Sequence, residues 1–181
     1  MRGTIGSSTA VVVLAMAGAL VASGCSSGTK VAGTPGQEQT KAMERLKSLA
    51  GEWTELGPDG KPQTIVYSVT AGGSAVREVM FPGMPHEMTN LYHMDGASLV
   101  CTHYCALGNQ PRMRARGLSA DGKSIVFTFD SVTNLAKPDG QYMGGLALEM
   151  PDADHVTQVW TSYANGKPVE EHVRIALTRK K

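Results

Sequence analysis

Residues 112–129 read RMRARGLSADGKSIVFTF. Before the Asp-Gly pair, Met113 and Ala115 alternate with Arg112, Arg114 and Arg116; after it, Phe127 and Phe129 alternate with Val126 and Thr128. A period of two on both sides of a turn predicts two antiparallel strands. Asp121-Gly122 can form a two-residue hairpin loop, or a type I turn followed by glycine as the left-handed bulge residue. The two differ by one register step, which exchanges the faces of the sheet. A three-residue loop pairs Ser119 with Lys123 and sets Ala115 opposite Phe127 and Met113 opposite Phe129. Arg112, Arg114 and Arg116 then share the other face with Asp130, Thr128 and Val126. A two-residue loop would set Arg114 and Arg116 against the phenylalanines. The first register sorts apolar from charged side chains, so the arginines are expected to point outward.

The same pattern extends along the chain. Strands are expected near 51–57, 62–70, 74–81, 87–93, 97–105, 111–118, 123–130, 142–150, 155–163 and 167–179. Ten strands with mostly short connections predict an antiparallel up-and-down meander, and a sheet of that length removes its edges by closing. Before them, Thr34-Pro35-Gly36-Gln37 has the composition of a helix start, with Thr34 as cap and Pro35 in the first turn. Ala42, Met43, Leu46, Leu49 and Ala50 follow helical spacing, and Gly51 is a natural stop. The predicted fold is mainly β, a ten-stranded antiparallel barrel with one short N-terminal α-helix.

Pro58-Asp59-Gly60 and Met94-Asp95-Gly96 repeat the Asp-Gly turn chemistry. The three-residue rule pairs Trp53 with Ile65. It also pairs His93 with Ala97, Leu91 with Leu99, Thr89 with Cys101 and Glu87 with His103. The inward face would then carry Glu87, Leu91, Leu99, Cys101, His103 and Cys105. The expected cavity lining is Tyr67, Leu91, Leu99, Cys101, His103, Met113, Phe127 and Phe129. Glu87 beside His103 is its polar interruption, either a satisfied structural pair or a pair that orients a polar ligand group together with Tyr67 or Gln110. Gly108-Asn109-Gln110-Pro111 is read as a tight turn that sets Gln110 at the barrel mouth.

Cys101 and Cys105 are four residues apart on one strand, so their α-carbons should be about 13 Å apart, beyond disulfide reach. They are expected to be buried thiols acting as small apolar groups. Cys101, His103 and Cys105, with Glu87 across the pair, could instead offer metal ligands, although without the spacing of a dedicated zinc motif. No nucleophile or second acid is placed by the sequence, so enzymatic chemistry is not the expectation.

The 181 residues are 41% hydrophobic, with 17 basic against 16 acidic side chains and a net charge of +1. No basic block stands out, which argues against nucleic acid as a partner. Arg2, the apolar run from Ala10 to Val21 and Ala22-Ser23-Gly24-Cys25 form an export signal, too short for a spanning helix. Its end resembles a bacterial lipobox, departing at Ala22, where that motif carries a larger aliphatic residue. The resemblance implies cleavage before Cys25, lipidation of Cys25 with palmitate among its acyl chains, and an envelope protein anchored to a membrane. Ser26 is compatible with outer-membrane delivery where the organism has that membrane. The expected divisions are signal 1–24, lipidated tether 25–37 and barrel domain 38–181.

Leu49-Ala50-Gly51-Glu52-Trp53 closes the helix and opens the first strand. Gly51 and Trp53 resemble the Gly-x-Trp start of the calycin superfamily, and ten strands resemble its fatty-acid-binding and nitrobindin-like members more than lipocalins. In that superfamily a basic residue late in the last strand packs over the tryptophan; Arg179 is the matching candidate. The resemblance implies a ligand cavity inside the barrel. Nitrobindin-like proteins bind haem through a late histidine, but His155 and His172 sit in no matching motif. No cofactor is predicted, and haem or a divalent metal stays an alternative. The expected function is non-enzymatic carriage of a small, mainly apolar ligand. The alternatives are an envelope interaction module with a filled barrel, or a haem, metal or hydrolytic site at His103 and Glu87.

Overall fold

A computed structural model describes residues 34–57 and 59–181. The export segment, Cys25 and residues 26–33 lie outside them. Helix α1 (Gln37–Lys47) is followed by β1 (Gly51–Leu56), β2 (Pro62–Thr70), β3 (Ala75–Met80), β4 (Met88–Asp95) and β5 (Ser98–Tyr104). Then come β6 (Gln110–Leu118), β7 (Ser124–Thr133), β8 (Tyr142–Glu149), β9 (His155–Ala164) and β10 (Lys167–Arg179). Every strand pairs antiparallel with the next, and β1 pairs with β10, so the ten strands close into an up-and-down barrel. All ten expected strands are present. The largest displacement of an end is in β7, which runs to Thr133. The architecture is compatible with a calycin-like fold.

Because the meander alternates direction, its turns gather at two ends. Helix α1 closes one of them, burying Ala42, Met43 and Leu46 in the same core as Leu49, Trp53, Ile125, Leu148 and Val156. Arg45 fastens it there, donating through Nη2 to the carbonyls of Met150 and Asp152 at 3.1 and 2.8 Å. The helix starts two residues later than expected: Gly36, extended at φ −69° and ψ 166°, is the N-cap in place of Thr34. Glycine caps a helix about as well as threonine.

At the helix C-terminus the expected Trp53–Arg179 contact is realised. The Arg179 guanidinium lies 4.2 Å from the Trp53 ring centroid. Its Nη1 and Nη2 donate to the carbonyls of Ala50 and Ser48, both at 2.9 Å, satisfying acceptors that a helix end leaves open. Trp53 Nε1 donates to Leu49 O at 2.8 Å. Gly51 has φ +132°, and a Cβ there would stand 3.1 Å from Arg179 Nη1, so this corner favours glycine on both counts.

The three Asp-Gly turns resolve into three different loops. Gly57 N donates to Lys61 O, the three-residue loop expected, and Trp53 pairs with Ile65. In the 112–129 hairpin, Met113 pairs with Phe129 and Ala115 with Phe127 as expected, and Arg112 and Arg114 face outward. Their guanidiniums bracket Asp95 at 2.6 and 2.7 Å and Asp130 at 3.3 and 3.0 Å. Nearer the turn, however, Ser119 N donates to Ser124 O, a four-residue loop rather than the Ser119–Lys123 pair. An irregularity between Ala115 and Leu118 absorbs the extra residue. It falls where α1 crosses the barrel: Gly117 has φ +144°, and a Cβ there would meet the Glu38 backbone at 3.1 Å.

The third turn overturns one expectation. Asp95 pairs with Ser98, leaving only Gly96 and Ala97 in the loop, with Gly96 at φ +61°. Asp95 is thereby the last strand residue, held from outside by Arg112 and Arg114. The β4–β5 register is displaced by three residues from the expected one, an odd number, so β4 turns its other face inward. Asn90 and Tyr92 are inside; Leu91 and Glu87 are not, and His103 pairs with Asn90 instead of Glu87.

Candidate functional site

On β9, Val156, Gln158 and Trp160 step from the helix end of the barrel toward the open end, and on β5 Leu99, Cys101 and His103 do the same. The helix-end layer is apolar. The middle layer contains a buried carboxylate: Glu78, between Val76 and Met80 on the inward face of β3, is 0% exposed. Asn90 Nδ2 donates to its Oε2 at 2.8 Å, Tyr92 OH to the same oxygen at 2.6 Å, and Gln158 Nε2 to its Oε1 at 2.5 Å. Tyr67 adds a further hydrogen bond. Burial raises the Glu78 pKa and these donors oppose the rise. Burial, reinforced by the Glu78 charge, also holds the Tyr67 and Tyr92 hydroxyls and the Cys101 thiol in their protonated forms.

The carboxylate orders its surroundings outward. Because Asn90 spends its amide N–H on Glu78, it presents Oδ1 to His103, and His103 Nδ1–H donates to that oxygen at 2.7 Å. Gln158 donates to Glu78 and to Tyr67 OH, so its Oε1 accepts from Trp160 Nε1–H at 2.9 Å. Both chains carry their N–H groups toward Glu78. The imidazole is consequently the Nδ1–H tautomer, and Nε2 carries a bare lone pair. That Nε2 is buried and has no partner in the protein. Burial lowers the His103 pKa to about 4, so the ring is neutral near pH 7.

Beyond this polar layer lies a cavity of about 510 Å³ at the open end, within the range of about 300–1,000 Å³ usual for small-molecule sites. Its apolar wall includes Met80, Phe81, Met88, Met143, Trp160 and Ile175, and His103 and Cys105 line it too. The His103 and Trp160 rings are 4.9 Å apart between centroids. Leu56 and Val173 reach the cavity from exposed positions, and Glu55 and Arg174 bring charge to its wall. Arg174 Nη2 lies 3.1 Å from Glu149 Oε2.

The residues anticipated for the pocket separate into three groups. His103 and Cys105 line the cavity. Tyr67, Cys101 and Met113 are buried in the core beneath it, Tyr67 within the Glu78 network. Glu87 and Gln110 lie at the open end, Glu87 in the loop before β4 and Gln110 at the start of β6: Glu87 Oε2 accepts from Gly83 N at 2.7 Å, and Gln110 bridges Gly108 O and Thr133 Oγ1. Glu87 is therefore withdrawn as the partner of His103, and Asn90 takes that place. Phe129, expected inside, is 37% exposed and stacks on Tyr142 and Tyr163. Cys101 and Cys105 are free thiols. Among the described residues, no group of three or more His, Cys, Asp or Glu side chains is placed to hold a metal ion. The sequence reading missed Asn90, Phe81 and Trp160 as site residues; it also missed Glu78 and Gln158, but these two did leave a trace. Each is a polar side chain on the apolar face of its strand, between Val76 and Met80 and between Val156 and Trp160.

Comparison of the sequence with protein-family models and with curated proteins finds no match.

Proposed function

We propose that this barrel is a non-enzymatic carrier or sensor of a compact, mainly apolar small molecule, held in the open-end cavity above His103. The observation that carries the reading is the pairing of an apolar, methionine-rich cavity with a buried, unpartnered His103 Nε2. Leaving a buried acceptor unsatisfied costs about 1–3 kcal/mol, and a bound ligand that supplies a donor would recover it. Methionine walls adapt to ligand shape at little strain. Saturable binding of one equivalent of an apolar fluorescent probe is expected. It should be lost in Met88→Trp, which fills the cavity, with an unchanged circular dichroism spectrum. Absence of saturable binding, or binding indifferent to the filling substitution, would reject the carrier reading. An absorbance scan of the purified protein addresses haem as an alternative occupant, because a Soret band lost in His103→Leu would replace the apolar ligand with haem.

We further propose that the mature chain is held on a membrane by lipid on Cys25, which lies outside the described residues. The lipobox-like Ala22-Ser23-Gly24-Cys25 supports this. Labelling with a palmitate analogue should require Cys25, and a Cys25→Ala protein that still partitions into detergent would refute it. Several acyl chains suffice for stable anchoring.

A further inference from the structure

We propose, resting on the carrier reading, that the cavity selects neutral apolar molecules bearing a hydrogen-bond donor, a hydroxyl above all, and seats that donor on His103 Nε2. The selectivity is written in the direction of the buried hydrogen bonds. Glu78 draws an N–H from Asn90, Asn90 draws one from His103, and the ring is left with an acceptor and no second donor. Trp160 spends its only N–H on Gln158, so its indole offers the ligand no donor either. His103, itself 2% exposed, thus presents one lone pair from the polar layer to a cavity whose wall is mostly hydrocarbon and thioether. A ligand hydroxyl satisfies it. An ether or ester oxygen meets it acceptor to acceptor.

A carboxylate fares worse, because it brings charge as well as lone pairs. Among the described residues lining the cavity, Arg174 is the one cation, and it is already engaged with Glu149, while Glu55 adds a carboxyl of its own to the wall. The cavity is therefore built against free fatty acids. Met80, Met88 and Met143 share the wall with His103 and supply the flexible side chains needed to admit a headgroup to a buried nitrogen.

Three probes of similar chain length separate the possibilities: decanol, decyl methyl ether and decanoate, titrated at neutral pH against the purified protein by displacement of an apolar fluorophore. Decanol should bind about tenfold more tightly than either of the others, the scale of one buried hydrogen bond. In His103→Leu the alcohol's advantage over the ether should shrink to about twofold or less. The nitrogen-15 resonance of His103 Nε2 should start at the position of a bare ring nitrogen and move with decanol but not with the ether. Equal affinities, or tighter binding of decanoate, would overturn the donor rule while leaving the carrier reading standing. Failure of all three probes to bind would overturn both. If the leucine variant does not fold, the wild-type comparison of alcohol with ether decides alone.

Discussion

The neutral, buried imidazole of His103 gives a stability signature that can be worked through in sign and size. The unfolded chain takes up a proton on this ring near pH 6.5, whereas the folded protein resists protonation until about pH 4. Between those values the unfolded state binds the extra proton, so stability is complete above pH 6.5 and is lost as the pH falls toward 4. The gap, at about 1.36 kcal/mol per pH unit, amounts to about 3 kcal/mol. Glu78 acts in the opposite sense. Its raised pKa means that the folded state takes up a proton more readily than the unfolded chain, so lowering the pH through that window adds stability. The wild-type profile is the sum of both, and His103→Gln separates them. Glutamine keeps an N–H for Asn90 Oδ1 but does not titrate. Urea unfolding of both proteins from about pH 7.5 to about pH 4 should show the wild type losing about 3 kcal/mol relative to the variant, with the divergence confined to that window. Parallel profiles would refute the claim that His103 is buried neutral. A divergence of opposite sign would mean that the imidazole is charged in the folded state, with a partner other than Asn90.

Four further outcomes follow from the same geometry. Glu78→Leu strands the Asn90, Tyr92 and Gln158 donors in the core and should destabilise the fold by about 3–5 kcal/mol in urea titration; a loss under about 1 kcal/mol would mean that water replaces the carboxylate. Arg179→Ala removes the cation over Trp53 and the two bonds that cap α1, so about 2–3 kcal/mol should be lost, and lysine should restore less than half because it lacks the planar fork. Gly117→Ala forces a Cβ against the Glu38 backbone at positive φ and should cost about 1–3 kcal/mol, read from thermal unfolding; a neutral result would place α1 elsewhere. Iodoacetamide should alkylate Cys105 in the native protein and Cys101 only after unfolding, and an apolar ligand in the cavity should slow the Cys105 reaction; ligand-independent labelling of Cys105 would separate it from the site.

The legible part of the site and the illegible part divide at the β4–β5 turn. Alternation groups His103, Cys101 and Leu99 on one face of their strand, the apolar character of that face turns it inward, and they lie there. Their partner strand was turned over. Asp95-Gly96 looks in sequence like Asp121-Gly122 and Asp59-Gly60, yet the three turns adopt loops of two, four and three residues. Arg112 and Arg114, on a different strand, draw Asp95 into the ladder, and no local rule contains that contact. In the 112–129 hairpin a similar error in the loop cancelled itself. The irregularity at 116–117 restored the alternation, so Ala115 still met Phe127. Glu78 was passed over because a lone carboxylate on an apolar face has no meaning until its four hydrogen-bonding neighbours are known, and those lie on β2, β4 and β9.

Alternation of side chains along a strand is a property of the backbone at a single residue, and it is set by the sequence alone. That local rule was enough for the ten strands, and helical spacing was enough for the helix; closure followed from removing the sheet edges, and the Trp53–Arg179 contact was implied by the calycin resemblance, not by alternation. Which strand face meets which depends on loop lengths and bulges, and these are settled by contacts between residues far apart in the chain. Those distant contacts brought Glu78, Asn90 and His103 into one line of hydrogen bonds, and with it the direction in which the imidazole presents its lone pair.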